Sequence, residues 1–455
     1  MSRSLLLKNA TLLATLDAEE REIENGAVFI RDNLIEAVGP SDELPQTADT
    51  VIDLSGHVVI PGLINTHHHM FQSLTRVLPA AQDAELFDWL SALFPVWERI
   101  TPAMSSTATQ TAMAELMLSG CTTAADHAYL YVNGIRLDDN IAAAAEIGMR
   151  FHAARGAMSL GRNAGGLPPD ALVEADEDAI LKDMQRLIET YHDAASDAMV
   201  QIAVAPCSPF TVTTDLMREG AALARSYGVA MHTHTAENWK DVAFSQERYG
   251  MTSTQFTEEV GWVGEDVWHA HCVHLDDPGI ALFARTGTGV AHCPCSNMRL
   301  ASGIAPVRKM LDAGVNVGLG VDGSASNDSG SLLSEARQAL LSARVKDQEP
   351  AAMTAREALA LATRGSAAVL GRGESLGRIQ AGYCADVVAF RLDDIALAGA
   401  LVDPLAALVF CTPPRVAYSV INGRVVVAEG QLTTLELPVL VERHNRMAGV
   451  LVRGD

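Results

Sequence analysis

Apolar and polar positions alternate in two different ways along the chain. Near the start, "SLLLKNATLLATL", "GAVFIRDNLIEAVG" and "TVIDLSGHVVIPG" are short apolar runs cut by the turn signals "RDN" and "SG", which predicts β-strands. The opening "MSRSLLLKNATLLATLDAEE" reads as a strand, because it turns acidic and has no clear cleavage site. The C-terminal stretch repeats the pattern in "CADVVAFRL" and "YSVINGRVVVAEGQ", where Asn422-Gly423 signals a hairpin. Between these ends, "TTAADHA", "MRFHAARGA", "VQIAVAPCSP", "VAMHTHTAE", "DVWHAHCVHL", "GVAHCPCSN" and "VNVGLGVDGS" alternate with amphipathic runs such as "DLMREGAALARSYG" and "APVRKMLDAG". Counting the run before "THHH", the β–α unit recurs about eight times.

The pattern predicts an α/β protein. A (β/α)8 barrel spans 61–375, and a small β-sandwich domain is assembled from both termini, 1–60 and 376–455. An open doubly wound sheet is the rival. The barrel is favoured because polar residues end one strand run after another, as converging barrel loops require. The run "TAREALALATRGSAAVLG" opens with Thr354 and Glu357 in capping-box spacing and reads as the helix that closes the barrel.

Composition narrows the function. A formal charge of -23 argues against nucleic-acid polymers or anionic membranes as partners. No apolar run reaches the ~20 residues of a membrane span. A soluble cytoplasmic protein is expected, self-associating through the barrel rim. Seven scattered cysteines suit reduced thiols better than a disulfide framework. "CPC" at 293–295 lacks the second pair that a cysteine metal site needs.

The 14 histidines carry the chemistry. On a strand, His67 and His69 share one face and His68 points to the other. Two imidazoles there can chelate one cation; solvated histidines at a polar strand end are the plain alternative. Other strand ends add His232, His234 and Glu237 in "MHTHTAE", and His269, His271 and His274 in "WHAHCVH". Asp322 stands in "GLGVDGSAS", between glycines that permit close approach. Histidines, then an aspartate, at successive strand ends supply the N/O ligands of a zinc-like ion with a water position left open. His57, His152, His192, His292 and His444 read as structural.

Together, "PGLINTHHH", "HTHTAE", "AHCVHL" and "GLGVDGSASND" resemble the amidohydrolase superfamily, in its cytosine/guanine deaminase branch, across essentially the whole chain. The resemblance implies that His67, His69, His234 and Asp322 hold the metal. It makes Glu237 the proton-transferring glutamate and His271 the sixth-strand histidine beside the activated water. The third and fourth strand runs lack the Lys or Glu that bridges two metals in binuclear relatives. One divalent ion per subunit is therefore implied, zinc first and iron(II) as the alternative. The implied reaction is hydrolytic loss of an exocyclic amine from a ring carbon as ammonia. Glu237 protonates a ring nitrogen, and Asp322 and His271 receive the water's proton.

The resemblance also suggests ring contacts. Gln72 matches a position that often bonds a nucleobase-like ring, though a helix-start role is equally open. Cys207 and Ser208 end the fourth strand run, where guanine deaminases place a ring-binding group; the arginine expected there is absent, which counts against guanine. His127 ends the second run, with a structural role as the alternative. Trp89 lies in "AELFDWLSALFPVW", a lid segment whose indole either stacks on a flat ring or packs in the core. Among subgroups, "GLPPDALVE", "APCSPF" and "AHCPCSNMRLASGIAPV" are similar to 8-oxoguanine deaminases, which implies a purine-like small-molecule substrate. Isoxanthopterin-type deamination and triazine amino- or chlorohydrolysis are the competitors. A metal-free amidohydrolase-like scaffold and a cyclic-amide hydrolase are the readings from other classes.

Overall fold

The eight middle β runs become one parallel sheet in the computed structural model, which describes residues 3–454. Its strands are Leu63–Asn65, Cys121–Ala128, Arg150–Ala157, Val200–Pro206, Ala230–Thr235, Val267–His271, Gly289–His292 and Val317–Leu319, paired in sequence order. The sheet closes on itself. Thr66 N–H donates to the Leu319 carbonyl at 2.9 Å, and Asp322 N–H donates to the His67 carbonyl at 3.1 Å. Every residue of the second and third strands is buried, as expected where helices cover one face and a packed interior the other.

The intervening amphipathic runs are helices with the predicted ends. Thr214–Tyr227 is capped by the Thr213 side chain, stops at Gly228 with φ 66°, and turns Leu216, Met217, Ala221 and Ala224 inward. Thr354 and Glu357 form the expected capping box at the start of Ala355–Ala360. That run continues through a wider turn into Ser366–Val369, where the Ser366 hydroxyl accepts the Leu319 N–H at 3.0 Å.

The two termini build a second, nine-stranded mixed sheet. Its first strand is Ser4–Ala14; Met1 and Ser2 of the predicted opening strand lie outside the described residues. The seam between the chain ends is antiparallel pairing of His57–Pro61 with Val387–Arg391. The hairpin between Val416–Ile421 and Arg424–Ala428 turns at Asn422 and Gly423, both at positive φ, as a two-residue hairpin of this twist requires.

One terminal expectation needs correction. The C-terminal stretch is not β throughout: Leu437–Arg453 is a helix that packs back on the barrel helix Pro102–Leu118. Leu440, His444 and Leu451 recur at helical spacing and face inward, and His444 Nε2 meets the Ser73 carbonyl at 3.0 Å. The structural reading of His444 fits this contact.

A buried ion pair fastens the barrel to the terminal sheet. Arg150, wholly buried on the third strand, donates to the Asp386 carboxylate at 3.1 and 3.2 Å and to the Asp197 carbonyl at 2.7 Å. Asp386→Ala leaves that guanidinium without its counter-charge, which costs about 3–5 kcal/mol. Chemical denaturation is expected to show this loss; a change under ~1 kcal/mol would mean the pair does not hold the sheets together.

Candidate active site

The three adjacent histidines sit just past the short first strand, in backbone that still exchanges ladder bonds with its neighbours: His68 accepts from His127 N–H at 2.8 Å. The alternation therefore survives. His67 and His69 turn into the barrel mouth with His234, His271 and Asp322, while His68 turns away, buried with neither ring nitrogen bonded. His271 and Asp322 take φ of 69° and 62°, and Ala236, before Glu237, takes 52°. Non-glycine residues in this region carry local strain, which clusters at functional sites. Gly320 is required beside them, since a Cβ there would lie 2.8 Å from His67 Cβ.

Each inward imidazole is anchored through one nitrogen. His69 Nδ1 bonds the His127 carbonyl at 2.8 Å, and His234 Nδ1 bonds the Cys207 carbonyl at 2.7 Å. His67 Nδ1 meets His232 Nε2 at 2.7 Å, and His232 Nδ1 in turn meets the Trp268 carbonyl at 2.9 Å. A carbonyl only accepts, so the protons lie on the anchored nitrogens and the three Nε2 atoms carry bare lone pairs. Burial pushes His67, His69 and His234 below the usual histidine range and keeps them neutral.

These lone pairs converge. His69 Nε2 lies 3.2 Å from His234 Nε2, and Asp322 Oδ1 lies 3.4 Å from His67 Nε2 and 3.5 Å from His69 Nε2. His67 Nε2 is buried without a hydrogen-bond partner. Acceptors facing each other without protons repel unless a cation lies between them. A tetrahedral ion with bonds of ~2.0–2.1 Å has ligand–ligand edges of roughly 3.3–3.4 Å, so these three contacts fit such an ion. Three other buried groupings, His67/His127/His232, His67/His234/His271 and His127/Cys207/His234, come as close together. They are poorer candidates: none has a carboxylate, and burial pushes the Cys207 thiol up to about 12, so it stays protonated.

Proton-handling groups adjoin this set. Glu237 Oε2 lies 3.6 Å from His271 Nε2, which is 3.9 Å from Asp322 Oδ2. Burial pushes the Glu237 carboxyl up to about 7, where a group both gives and takes a proton near neutrality. Burial would lower His271, but the Glu237 and Asp322 carboxylates outweigh it and hold the imidazole above its ordinary value. For Asp322 burial acts upward, and the histidines around it reverse the sign, leaving the carboxyl well below the usual range. Beneath Glu237, the buried Asp241 carboxylate accepts the Glu237 N–H at 3.0 Å and fixes the loop.

A mostly apolar cavity opens above the cluster, lined by Leu86, Trp89, Leu90, Phe94, Met158 and Phe210. His69, His234, Glu237, His271 and Asp322 form its floor, and Gln72, Cys207 and Ser208 also line it. Trp89 belongs to the helix Leu86–Trp97; it lines the cavity and also donates its indole N–H to the Ala325 carbonyl at 3.1 Å. His127 does not line the cavity. It lies behind the cluster, its Nε2 on the Ala205 carbonyl at 2.7 Å and its ring stacked on His234 at 4.9 Å, which is the structural role.

The profile of the amidohydrolase family matches residues 58–426. The chain belongs to the amidohydrolase family. It is a hydrolase acting on C–N bonds. The 8-oxoguanine deaminase of Pseudomonas aeruginosa is 43% identical over 444 residues, covering 97% of this chain and 98% of that protein. An isoxanthopterin deaminase from an unknown prokaryotic organism is 38% identical over 417 residues, covering 86% and 85%. The atrazine chlorohydrolase of Arthrobacter aurescens TC1, solved complexed with zinc, superposes with a TM-score of 0.93 at 34% identity, covering 98% of this chain and 100% of that one.

Several groups around this amidohydrolase site escape a reading by motif. Asn297 Oδ1 bonds His271 Nδ1 at 2.9 Å, and Ser326 Oγ donates to Asp322 Oδ2 at 3.0 Å. Tyr129, two residues past His127, reaches the cavity by strand alternation; "DHAY" held that signal. Among the described residues no helix is long and apolar enough to cross a membrane. All seven cysteines are free.

Proposed function

We propose that this amidohydrolase is a metal-dependent deaminase of an amino-oxo heterocycle, 8-oxoguanine foremost, giving urate and ammonia. The observation that carries the reading is a chain of contacts at tetrahedral edge lengths, His67 and His69 Nε2 each against Asp322 Oδ1 and His234 Nε2 against His69 Nε2, with a near-neutral buried glutamate beside them. His67, His69, His234 and Asp322 hold one divalent ion, taken as zinc because the chlorohydrolase relative was solved with zinc. The strands Arg150–Ala157 and Val200–Pro206 carry no Lys or Glu to bridge a second ion.

When bound, the ion supplies the acidity that makes water a competent nucleophile near neutral pH. The protein's own groups do the rest. Glu237 donates a proton to the ring nitrogen next to the amine-bearing carbon, which makes that carbon electrophilic. Asp322 and His271 take the proton released as water adds, and return it to the departing amine. The amine leaves as ammonia, the added oxygen becomes the new carbonyl, and its remaining proton restores Glu237. Asn297 and Ser326 fix His271 and Asp322 in place for this exchange.

The substrate reading is supported by 43% identity to an 8-oxoguanine deaminase and by an apolar-walled cavity. Ammonia release from 8-oxoguanine, guanine, isoxanthopterin, cytosine and hydroxylated triazines tests it. Turnover of 8-oxoguanine is expected to exceed that of guanine by about 100-fold or more, since a site built for the extra oxygen leaves its own groups unpaired without it. Faster turnover of another ring would keep the deaminase and replace the substrate. Silence of metal-loaded protein on every ring would overturn both.

A further inference from the structure

The polar groups lining the cavity beyond the metal cluster differ in what they have left to offer. Thr211 donates its hydroxyl proton to the Ser208 carbonyl at 3.1 Å, and Ser208 Oγ meets Thr211 Oγ1 at 3.0 Å. Ser326 is committed to Asp322 and to the Gly323 carbonyl. Those hydroxyl protons are used within the protein. Tyr129 is different. Its hydroxyl oxygen accepts from Gln72 Nε2 at 3.2 Å, and no acceptor for its own proton is present among the described residues. The ring cannot swing away, being wedged edge-on against His69 at 4.8 Å and Phe71 at 5.3 Å.

Gln72 does not offer a second such group. Its Oε1 is buried without a partner and faces Gly323, where a Cβ would lie 1.9 Å from it, and Gly323 does not line the cavity. The wall thus carries one free O–H donor, on Tyr129. Buried polar groups left unpaired are costly, so a fitting ligand satisfies it.

We infer that Tyr129 is a specificity-determining residue that donates its hydroxyl proton to a ring carbonyl. The site therefore selects rings with a carbonyl on the six-membered ring that bears the amine. Oxopurines and pterins have that carbonyl; adenine-type and chlorinated alkylamino-triazine rings do not. The inference rests on the deaminase reading and narrows its substrate class.

The test compares Tyr129→Phe with the unaltered metal-loaded enzyme on 8-oxoguanine and on 2-amino-8-oxopurine, which lacks the carbonyl on the six-membered ring. The unaltered enzyme is expected to prefer 8-oxoguanine by about 100-fold or more in kcat/KM, and Tyr129→Phe to shrink that preference by about 10-fold or more, with the loss falling on 8-oxoguanine alone. Equal loss on both rings would overturn the assignment, because a merely structural role lowers them together. Calorimetric binding of hypoxanthine against purine, in the same two proteins, gives a readout that needs no turnover. A hypoxanthine preference that Tyr129→Phe abolishes supports the assignment even if the deaminase reading fails. A preference unchanged by the substitution, or absent from both proteins, overturns it whatever the reaction proves to be.

Discussion

Glu237→Gln is expected to lower kcat by about 1,000-fold or more while leaving the metal content of the purified protein unchanged. The two halves of that expectation come from different parts of the geometry. Glu237 stands beside His271, with Oε2 at 3.6 Å from its Nε2, and takes no part in the convergence of His67, His69, His234 and Asp322. Its backbone is held by Asp241, which a side-chain amide does not disturb. Gln keeps the volume and one carbonyl oxygen but cannot pass a proton, so a group that burial has brought to about 7 is lost from the reaction. Steady-state rates and metal analysis on one preparation check it. Retention of more than about a tenth of the rate, or loss of metal with the rate, would remove Glu237 from the proton-transfer role.

Chelation followed by zinc re-addition should have the second large effect. Stripping the metal is expected to abolish turnover and lower the thermal midpoint, and one equivalent of zinc per chain should restore both. A ligand that binds only the folded state at about 1,000 times its Kd contributes roughly 4 kcal/mol. Removing it also restores the mutual repulsion of Nε2 lone pairs 3.2 Å apart. Asp322→Asn tests the same set from the protein side, since it removes the only carboxylate among the four proposed ligands and should weaken metal retention. Full activity at less than about 0.1 metal ion per chain would overturn the metal-dependent reading. Two equivalents needed for full activity would instead overturn the single-ion reading.

Much of the architecture was legible without coordinates because its signals are local. Period-two and period-3.6 apolar patterns, the Thr354/Glu357 capping box and the Asn422-Gly423 turn each act over a few residues and survive any packing. The metal constellation was legible for a related reason. In a parallel barrel every strand end opens on the same mouth, so residues far apart in number but alike in strand position must meet. His67 and Asp322 are 255 residues apart by their numbers, yet His67 Nε2 lies 3.4 Å from Asp322 Oδ1. Strand alternation likewise assigned His68 to the opposite face from its two neighbours.

What tertiary structure alone decided are the matters set by packing. An amphipathic stripe such as "VLVERHNRMAGVLVR" does not say what it will cover, and only the folded chain shows Leu437–Arg453 returning to the barrel. His127 ends a strand like the ligand histidines, but its Nε2 is taken by the Ala205 carbonyl and its ring lies behind the cluster. Asn297 and Asp241 act through single contacts whose partners are distant or turned by a left-handed backbone. Tyr129 gains its meaning from what its neighbours have already bonded, a property of the assembled cavity wall. Sequence by itself determined the barrel, the terminal sheet and the converging histidines and aspartate, because these follow from periodicity and closure. The tautomers, the near-neutral glutamate and the donor left for a ligand arise from burial and hydrogen-bond competition, which exist only once the chain has folded.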